Sequence, residues 1–141
     1  MIILDTNVVS EPSQPLPSPA VLRWLAVQNS AEIFTTSVTE AEIFYGLALL
    51  PVGRKRNDLQ EALKRFFEHD VRDRVLSFDR AAAREFGAIT AERKRAGRPI
   101  KVFDAQIAAI ARAHGARVAT RDIADFEHSG IDLINPWIAP P

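Results

Sequence analysis

Short apolar stretches recur along the chain, and polar residues follow each of them. The first, residues 2–4, leads directly into Asp5, Thr6 and Asn7. An apolar run bounded by turn-forming residues indicates a strand that is buried on both faces, as in a parallel sheet. Asp5 should then stand at the carboxyl end of this strand, where open α/β sheets bind ligands. The same pattern predicts further strands at residues 32–36, 75–78, 117–120 and 131–134.

Apolar residues at helical spacing fill the intervals between these strands. The segment 10–19 contains four prolines and is predicted to be a loop. Strands that alternate with helices indicate parallel β-α units, so we expect a three-layer α/β/α sandwich around a parallel sheet of about five strands. The predicted helices span residues 19–28, 37–50, 57–68, 80–96 and 103–114, and a helical turn reaches Phe126.

Three of these helices carry predictions about single residues. Ser37 or Thr39 is expected to cap the helix at 37–50, because hydroxyl side chains accept hydrogen bonds from free amides there. The buried stripe of the helix at 19–28 is predicted to be Val21, Leu22, Leu25 and Ala26. The stripe of the helix at 103–114 is predicted to be Phe103, Ile107, Ile110 and Ala111.

The composition fits one globular domain over residues 1–141. Its 18 basic and 18 acidic side chains cancel, so binding to nucleic acid must depend on local patches. The absence of cysteine excludes thiolate metal sites, and three scattered histidines leave oxygen ligands, which suit Mg²⁺ or Mn²⁺. No signal peptide or membrane-spanning run is present in the sequence, so we expect no membrane association and a cytoplasmic location.

Several acids lie where the predicted strands end or the following helices begin: Asp5, Glu40, Glu42, Asp79, Asp104, Asp122 and Asp125. These places share one edge of a parallel sheet. Carboxylates gathered there repel one another unless a divalent cation lies between them, and such a cation can activate water for attack on a phosphate. Four of these acids, Asp79, Asp104, Asp122 and Asp125, also have a structural alternative as a helix cap or first-turn residue. Periodicity does not choose between Glu40 and Glu42, because their helix is apolar nearly all round.

Four motifs in order give the chain a resemblance to PIN-domain ribonucleases, specifically to VapC-type toxins of toxin–antitoxin pairs. The C-terminal segment Asn135-Pro136-Trp137 resembles the sequences of the subgroup that contains the fast-intracellular-trafficking toxin. The motifs are Leu4-Asp5-Thr6-Asn7-Val8-Val9-Ser10-Glu11-Pro12, Thr39-Glu40-Ala41-Glu42-Ile43-Phe44-Tyr45-Gly46, Asp104-Ala105-Gln106-Ile107-Ala108-Ala109 and Thr120-Arg121-Asp122 with Phe126 after it.

The resemblance implies a PIN-like fold and a catalytic, metal-binding quartet at Asp5, Glu42, Asp104 and Asp122. The family's glutamate follows an alanine and precedes a glycine by four positions, which selects Glu42. By the same resemblance Asp79 has a structural role, and Asp125 either caps a helix or lies just outside the metal ligands. Candidates to orient the carboxylates through hydrogen bonds are Thr6, Asn7 and Thr120. The implied activity is hydrolysis of RNA phosphodiester bonds with Mg²⁺ or Mn²⁺.

The resemblance also implies partners. They are a cognate antitoxin with a DNA-binding N-terminal domain, a second copy of the chain in a homodimer and higher toxin–antitoxin assembly, and operator DNA reached only through the antitoxin. The alternatives are a phosphoryl hydrolase that acts on another substrate and a weakly catalytic or non-catalytic PIN-domain subunit of a DNA-binding regulatory complex. Two basic clusters, residues 54–56 and 84–101, are candidate contacts for the RNA.

Overall fold

A single sheet of five parallel strands forms the centre of the protein, in a computed structural model that describes residues 1–140. The strand order is β3-β2-β1-β4-β5, so the first strand occupies the middle. The strands are β1 (Ile2–Leu4), β2 (Ile33–Thr36), β3 (Val75–Leu76), β4 (Arg117–Ala119) and β5 (Leu133–Ile134). The predicted arrangement, a parallel sheet of about five strands between layers of helices, is confirmed.

Helices connect the strands and cover the sheet. Two short 3-10 segments, Glu11–Ser13 and Ser30–Glu32, and a π-helical turn, Phe66–Asp70, complete the connections. The helices are α1 (Thr6–Ser10), α2 (Pro19–Val27), α3 (Ser37–Leu49), α4 (Arg54–Arg65), α5 (Arg80–Arg95), α6 (Val102–His114) and α7 (Ile123–Phe126). None of the helices in residues 1–140 combines the length and the apolar character needed to span a bilayer.

The alternation of side chains along β1 divides the core between the two faces of the sheet. Ile3 packs with buried residues of α5 and α6, including Ile89 and Ile107. Ile2 and Leu4 point into the second cluster, which contains residues of α1, α2 and α4. Because β1 is buried on both sides, its three residues are all apolar, and the first polar side chain emerges only where the strand ends.

Three local predictions were wrong. The segment 10–19 was predicted to be a loop, but Ser10 is the last residue of α1, which Asp5 caps, and Glu11–Ser13 forms a 3-10 turn that includes Pro12. Neither Ser37 nor Thr39 caps α3: Thr36 does so, through a 3.0 Å hydrogen bond from the Thr39 amide to the Thr36 hydroxyl. The third strand ends at Leu76, so Asp79 lies beyond it rather than directly at its end.

Both predicted helix stripes were partly wrong. In α2 the buried residues are Val21 and Trp24, whereas Leu22 is 38% exposed. In α6 the stripe of isoleucines and alanines is buried as predicted, but Phe103 is 51% exposed at the start of the helix. This phenylalanine lies on the same side of the protein as the acids, as described below.

Candidate active site

An open cavity at the carboxyl edge of the sheet collects the four acids of the predicted quartet. Its volume is about 430 Å³. Each acid comes from a different part of the fold: one follows β1, one lies on α3, one lies in the first turn of α6, and one precedes α7. The acids are Asp5, Glu42, Asp104 and Asp122, and Asp125 lines the same cavity.

Asp5 is the most rigidly held of these acids. Its side chain is 5% exposed, and its backbone amide donates a 3.0 Å hydrogen bond to the Ala119 carbonyl of the adjacent strand. Oδ1 accepts from the Thr6 amide at 2.8 Å, and Oδ2 accepts from the Thr120 hydroxyl at 2.7 Å. Burial raises the pKa of Asp5, and these hydrogen bonds act in the opposite direction. The carboxylate is thus fixed in position but costly to ionise without a nearby cation.

Asn7 and Thr120 link Asp5 to Asp122. The Asn7 amide nitrogen Nδ2 lies 3.1 Å from Oδ2 of Asp5 and 3.0 Å from Oδ2 of Asp122. The Thr120 hydroxyl accepts from the Asp122 backbone amide at 3.0 Å. Asp122 makes no capping hydrogen bond to α7 through its side chain, so its carboxylate is left for the cavity. These contacts are of the kind that orient ligating carboxylates.

The structure separates Glu42 from Glu40. Glu42 is half-buried, lines the acidic cavity and accepts a 3.0 Å hydrogen bond from the Thr6 hydroxyl at Oε1. Burial is the main cause that raises the pKa of the Glu42 carboxyl, and the charge of Asp5 adds to it. Glu40 does not line this cavity. Periodicity could not make this distinction because α3 buries residues in several directions, from Val38 to Leu47.

Asp104 has the most strongly raised pKa among the acids of the site. Its pKa is raised to about 6, first by burial and then by the negative charges of Asp5, Asp125 and Glu42. Lys101 acts in the opposite direction. The acids are therefore close enough to disfavour one another's ionised forms, which is the situation that a bound cation would relieve.

The chemistry of these side chains fits a divalent cation that prefers oxygen ligands. Within residues 1–140, however, no group of three or more His, Cys, Asp or Glu side chains has the arrangement needed to hold a metal ion. Mg²⁺ commonly keeps several water ligands and binds through one or two carboxylates, which this spacing permits. Direct coordination by three of the acids would require their side chains to move. The roles of the quartet in metal binding and catalysis stay predictions.

The other singled-out acids differ in their surroundings. Asp79 caps α5, because its Oδ1 accepts a 3.0 Å hydrogen bond from the Ala82 amide. Asp125 lies on the wall of the cavity, with Oδ2 3.9 Å from the Lys101 ammonium group. The hydrogen bonds of Asp79 agree with its predicted structural role. Asp125 contributes charge to the site, which a capping role alone would not explain.

Sequence reasoning missed part of the cavity wall. Val102 and Phe103, 60% and 51% exposed, line it beside Lys101, the last residue of the basic cluster 84–101. Their position directly before Asp104 is the signal that could have identified them. Arg93, counted in the basic cluster 84–101, is instead 4% exposed and donates hydrogen bonds to the backbone carbonyls of Arg98, Ala124 and Glu127. That arginine is structural and is not available to RNA.

Comparison with known proteins identifies the family. The fold and the site define an α/β protein with a carboxylate centre at the carboxyl edge of its sheet. Its sequence matches the PIN domain over residues 2–129, so the chain belongs to the PIN-domain family. It is 42% identical over 137 residues to the VapC ribonuclease Y4jK of Sinorhizobium fredii, covering 97% of this chain and 98% of the relative.

Two solved structures are similar over nearly the whole chain. The crystal structure of FitAcB from Neisseria gonorrhoeae matches with a TM-score of 0.93 and 37% identity, covering 99% of this chain and 100% of the other. The structure of FitAB bound to an IR36 DNA fragment matches with a TM-score of 0.94 and 36% identity, covering 100% and 99%.

Proposed function

We propose that this protein is an endoribonuclease, the toxin of a type II toxin–antitoxin pair, and that a divalent metal ion supports its hydrolysis of RNA phosphodiester bonds. The observation that carries the proposal is the convergence of Asp5, Glu42, Asp104 and Asp122 on one cavity at the carboxyl edge of the sheet. The similarity to a VapC ribonuclease supports the reaction class. The whole chain would act as one PIN domain, and a cellular RNA substrate would place it in the cytoplasm.

The quartet would hold Mg²⁺ or Mn²⁺. When bound, the cation would supply a water that loses its proton readily and positive charge beside the phosphate. The protein's own contribution is positioning. Thr6, Asn7 and Thr120 hold the carboxylates in fixed orientations, so little rearrangement would be needed as charge develops on the substrate.

A cognate antitoxin is the proposed partner and inhibitor. A second cavity of about 340 Å³ runs between α3 and α4 and shares Thr6, Ser10 and Glu42 with the acidic site. Its walls include Ile43, Leu47, Leu50, Leu59 and Leu63, which suits an apolar peptide segment. A segment that occupied this groove would also obstruct the acids. The antitoxin's N-terminal domain would carry any contact with operator DNA, as the similarity to DNA-bound FitAB suggests.

Assembly of the toxin into a homodimer is the remaining part of the proposal. Tyr45 and Leu49 lie one turn apart on α3, and each is 67% exposed. Val52, just beyond the helix, is 88% exposed. Apolar side chains grouped in this way are typical of surfaces that contact another protein. Sedimentation of the isolated toxin and of the toxin with its antitoxin would measure both assemblies.

The function is tested by cleavage assays with RNA, DNA and a small phosphate ester, each with Mg²⁺, with Mn²⁺ and with a chelator. We expect metal-dependent cleavage of RNA. Glu42→Gln should reduce the rate by at least about 100-fold, whereas Glu40→Gln, on the same helix but away from the cavity, should leave it nearly unchanged. Cleavage that persists in Asp5→Asn and Asp104→Asn, or in chelator, would overturn the assignment.

A further inference from the structure

Arg121 has surroundings that neither the quartet nor the proposed antitoxin groove explains. It lies between Thr120 and Asp122, and its backbone amide donates a 3.2 Å hydrogen bond to Oδ1 of Asn7. The same asparagine contacts Asp5 and Asp122 through its Nδ2. The backbone of Arg121 is therefore tied directly to the polar network of the acidic site.

The side chain of Arg121 is held by an aromatic ring. Its guanidinium carbon lies 4.9 Å from the centroid of the Trp137 ring. Two contacts fix the position of Trp137. Its backbone amide donates a 3.0 Å hydrogen bond to Oδ1 of Asn135, and its side chain packs against the apolar cluster around Ile2 and Leu4. Stacking on a tryptophan stabilises a guanidinium group and reduces the number of conformations it can adopt.

Stacking leaves the donor groups of this arginine available. Arg121 is exposed, and none of the ion pairs within residues 1–140 includes it, although Asp122 is its neighbour in sequence. A guanidinium group that stacks through its face still presents its N–H groups at the edge. Those groups match the paired oxygens of a phosphate, to which arginine donates two hydrogen bonds at once.

The location of Arg121 connects it to the acids. It lines an open cavity of about 590 Å³ together with Asn7, Ser10 and Glu11. Asn7 and Ser10 also line the acidic cavity, so the two cavities share a wall. Glu11 is already engaged, since its Oε1 accepts a 2.7 Å hydrogen bond from the Ser18 amide. An RNA strand that crossed the acids would continue into this cavity beside Arg121.

We propose that Arg121, stacked on Trp137, binds a phosphate of the RNA strand next to the one that is cleaved. This inference rests on the proposed nuclease function and adds a substrate contact to it. The acidic cavity repels a polyanion, so a positively charged group beside it is needed to draw the strand into place. Arg121 is a positioning residue in this arrangement, because it contacts a flanking phosphate and not the reacting atoms.

The first test compares cleavage of a short single-stranded RNA by Arg121→Gln and by Arg72→Gln. Arg72 is also exposed but lies just before β3, at the amino edge of the sheet and away from the site. Removal of a charge-assisted hydrogen bond should raise KM about tenfold in Arg121→Gln, with kcat changed less than about threefold. Arg72→Gln should match the wild type. Circular dichroism spectra would show that both variants are folded.

The second test uses the substrate rather than the protein. A methylphosphonate group, which is uncharged, replaces one RNA phosphate at a time. At one position flanking the cleaved bond it should raise the KM of the wild type about tenfold and leave that of Arg121→Gln unchanged, because the contact is already absent. In Trp137→Phe the methylphosphonate should still raise KM nearly as much as in the wild type, and in Trp137→Leu it should raise KM less.

Equal KM values for Arg121→Gln and Arg72→Gln, or the absence of such a position, would overturn the phosphate contact. The phosphate contact would also be overturned if Arg121→Gln left KM for RNA unchanged but weakened binding of the antitoxin. The guanidinium would then bind an acidic side chain of a protein partner. A wild type that cleaves no RNA at all would overturn the proposed function as well. Normal RNA cleavage with an unaffected Arg121→Gln would overturn this inference alone.

Discussion

The hydroxyl of Thr120 donates a 2.7 Å hydrogen bond to Oδ2 of Asp5, and this contact joins the carboxyl ends of β4 and β1. Thr120 is completely buried. Its oxygen also accepts from the Asp122 amide at 3.0 Å, so one hydroxyl positions two members of the quartet. The arrangement indicates that the orientation of the acids is set largely by side chains that would not contact a metal ion themselves.

Thr120→Val should lower the RNA-cleavage rate about 10- to 100-fold, which is typical for the loss of a group that orients a metal ligand. It should also cost about 1–3 kcal/mol of stability, because the buried carboxylate of Asp5 loses a hydrogen-bond donor. Thr120→Ser keeps the hydroxyl and should retain most of the rate. The measurement is kcat together with urea unfolding. Equal rates in the valine and serine variants would show that the hydroxyl does not orient the acids.

The pKa of Asp104 predicts how the stability of the metal-free protein depends on pH. The pKa is raised from 3.8 to about 6 in the folded state, so between these values the folded protein binds more protons than the unfolded chain. Stability should therefore fall as the pH rises through this window. Asp104→Asn lacks this dependence and should be more stable than the wild type at neutral pH, with a smaller difference at about pH 4.

Urea titrations in the presence of a chelator, at both pH values, measure this difference. Asp79→Asn is a useful comparison, because Asp79 caps a helix and is away from the acidic cavity. That variant keeps a capping oxygen and loses only the negative charge at the helix N-terminus, so it should lose at most about 1 kcal/mol of stability at neutral pH. A wild type that is more stable than Asp104→Asn at neutral pH would show that burial and the neighbouring acids disfavour the ionised Asp104 carboxyl less than the structure implies.

Divalent cations should stabilise the folded protein. At a concentration 100 times the Kd, a ligand that binds only the native state adds about 2.7 kcal/mol to the free energy of unfolding. We expect Mg²⁺ or Mn²⁺ to raise the melting temperature of the wild type and to have a much smaller effect on Asp5→Asn. Differential scanning calorimetry measures both. Equal shifts in the two proteins would indicate that the cations bind elsewhere.

Arg93→Met should destabilise the protein by about 1.5–3 kcal/mol, because three backbone carbonyls lose the charged donor that the buried Arg93 supplies. Arg93 donates to the carbonyl of Arg98 at 2.6 Å and also to that of Ala124, so it ties α5 to the segments near Asp104 and Asp125. Arg95→Met, at an exposed position on the same helix, should change stability by less than about 0.5 kcal/mol. Chemical unfolding of both variants tests the contrast.

Sequence reasoning succeeded where a residue's environment follows from its immediate neighbours. Asp5 was placed at a strand end because the three residues before it are apolar on both faces of the sheet. The helix α1 was missed because its five residues are too few to show a period, and because the prolines just after it suggested a loop.

Prediction failed where distant segments decide the environment. Arg93 has the sequence context of a surface arginine, yet carbonyls from two other segments surround it. Arg121 and Trp137 meet because β5 pairs with β4 and brings the end of the chain back to the acidic edge. No local sequence pattern predicts the contacts of Arg93 or the contact between Arg121 and Trp137. Resemblance to the family selected Glu42 over Glu40, and the structure gives the physical reason through the hydrogen bond from Thr6.

The central position of β1 has a consequence for synthesis on the ribosome. Its partner on one side, β2, follows within about 30 residues, but its partner on the other, β4, begins at Arg117. Asn7 meets Asp122 across 115 residues of chain. A nascent chain therefore lacks a complete set of acids until most of the protein has emerged, and long-range pairing of this kind slows folding. A toxin built in this order would stay inert while it is being made, which leaves time for an antitoxin to find it.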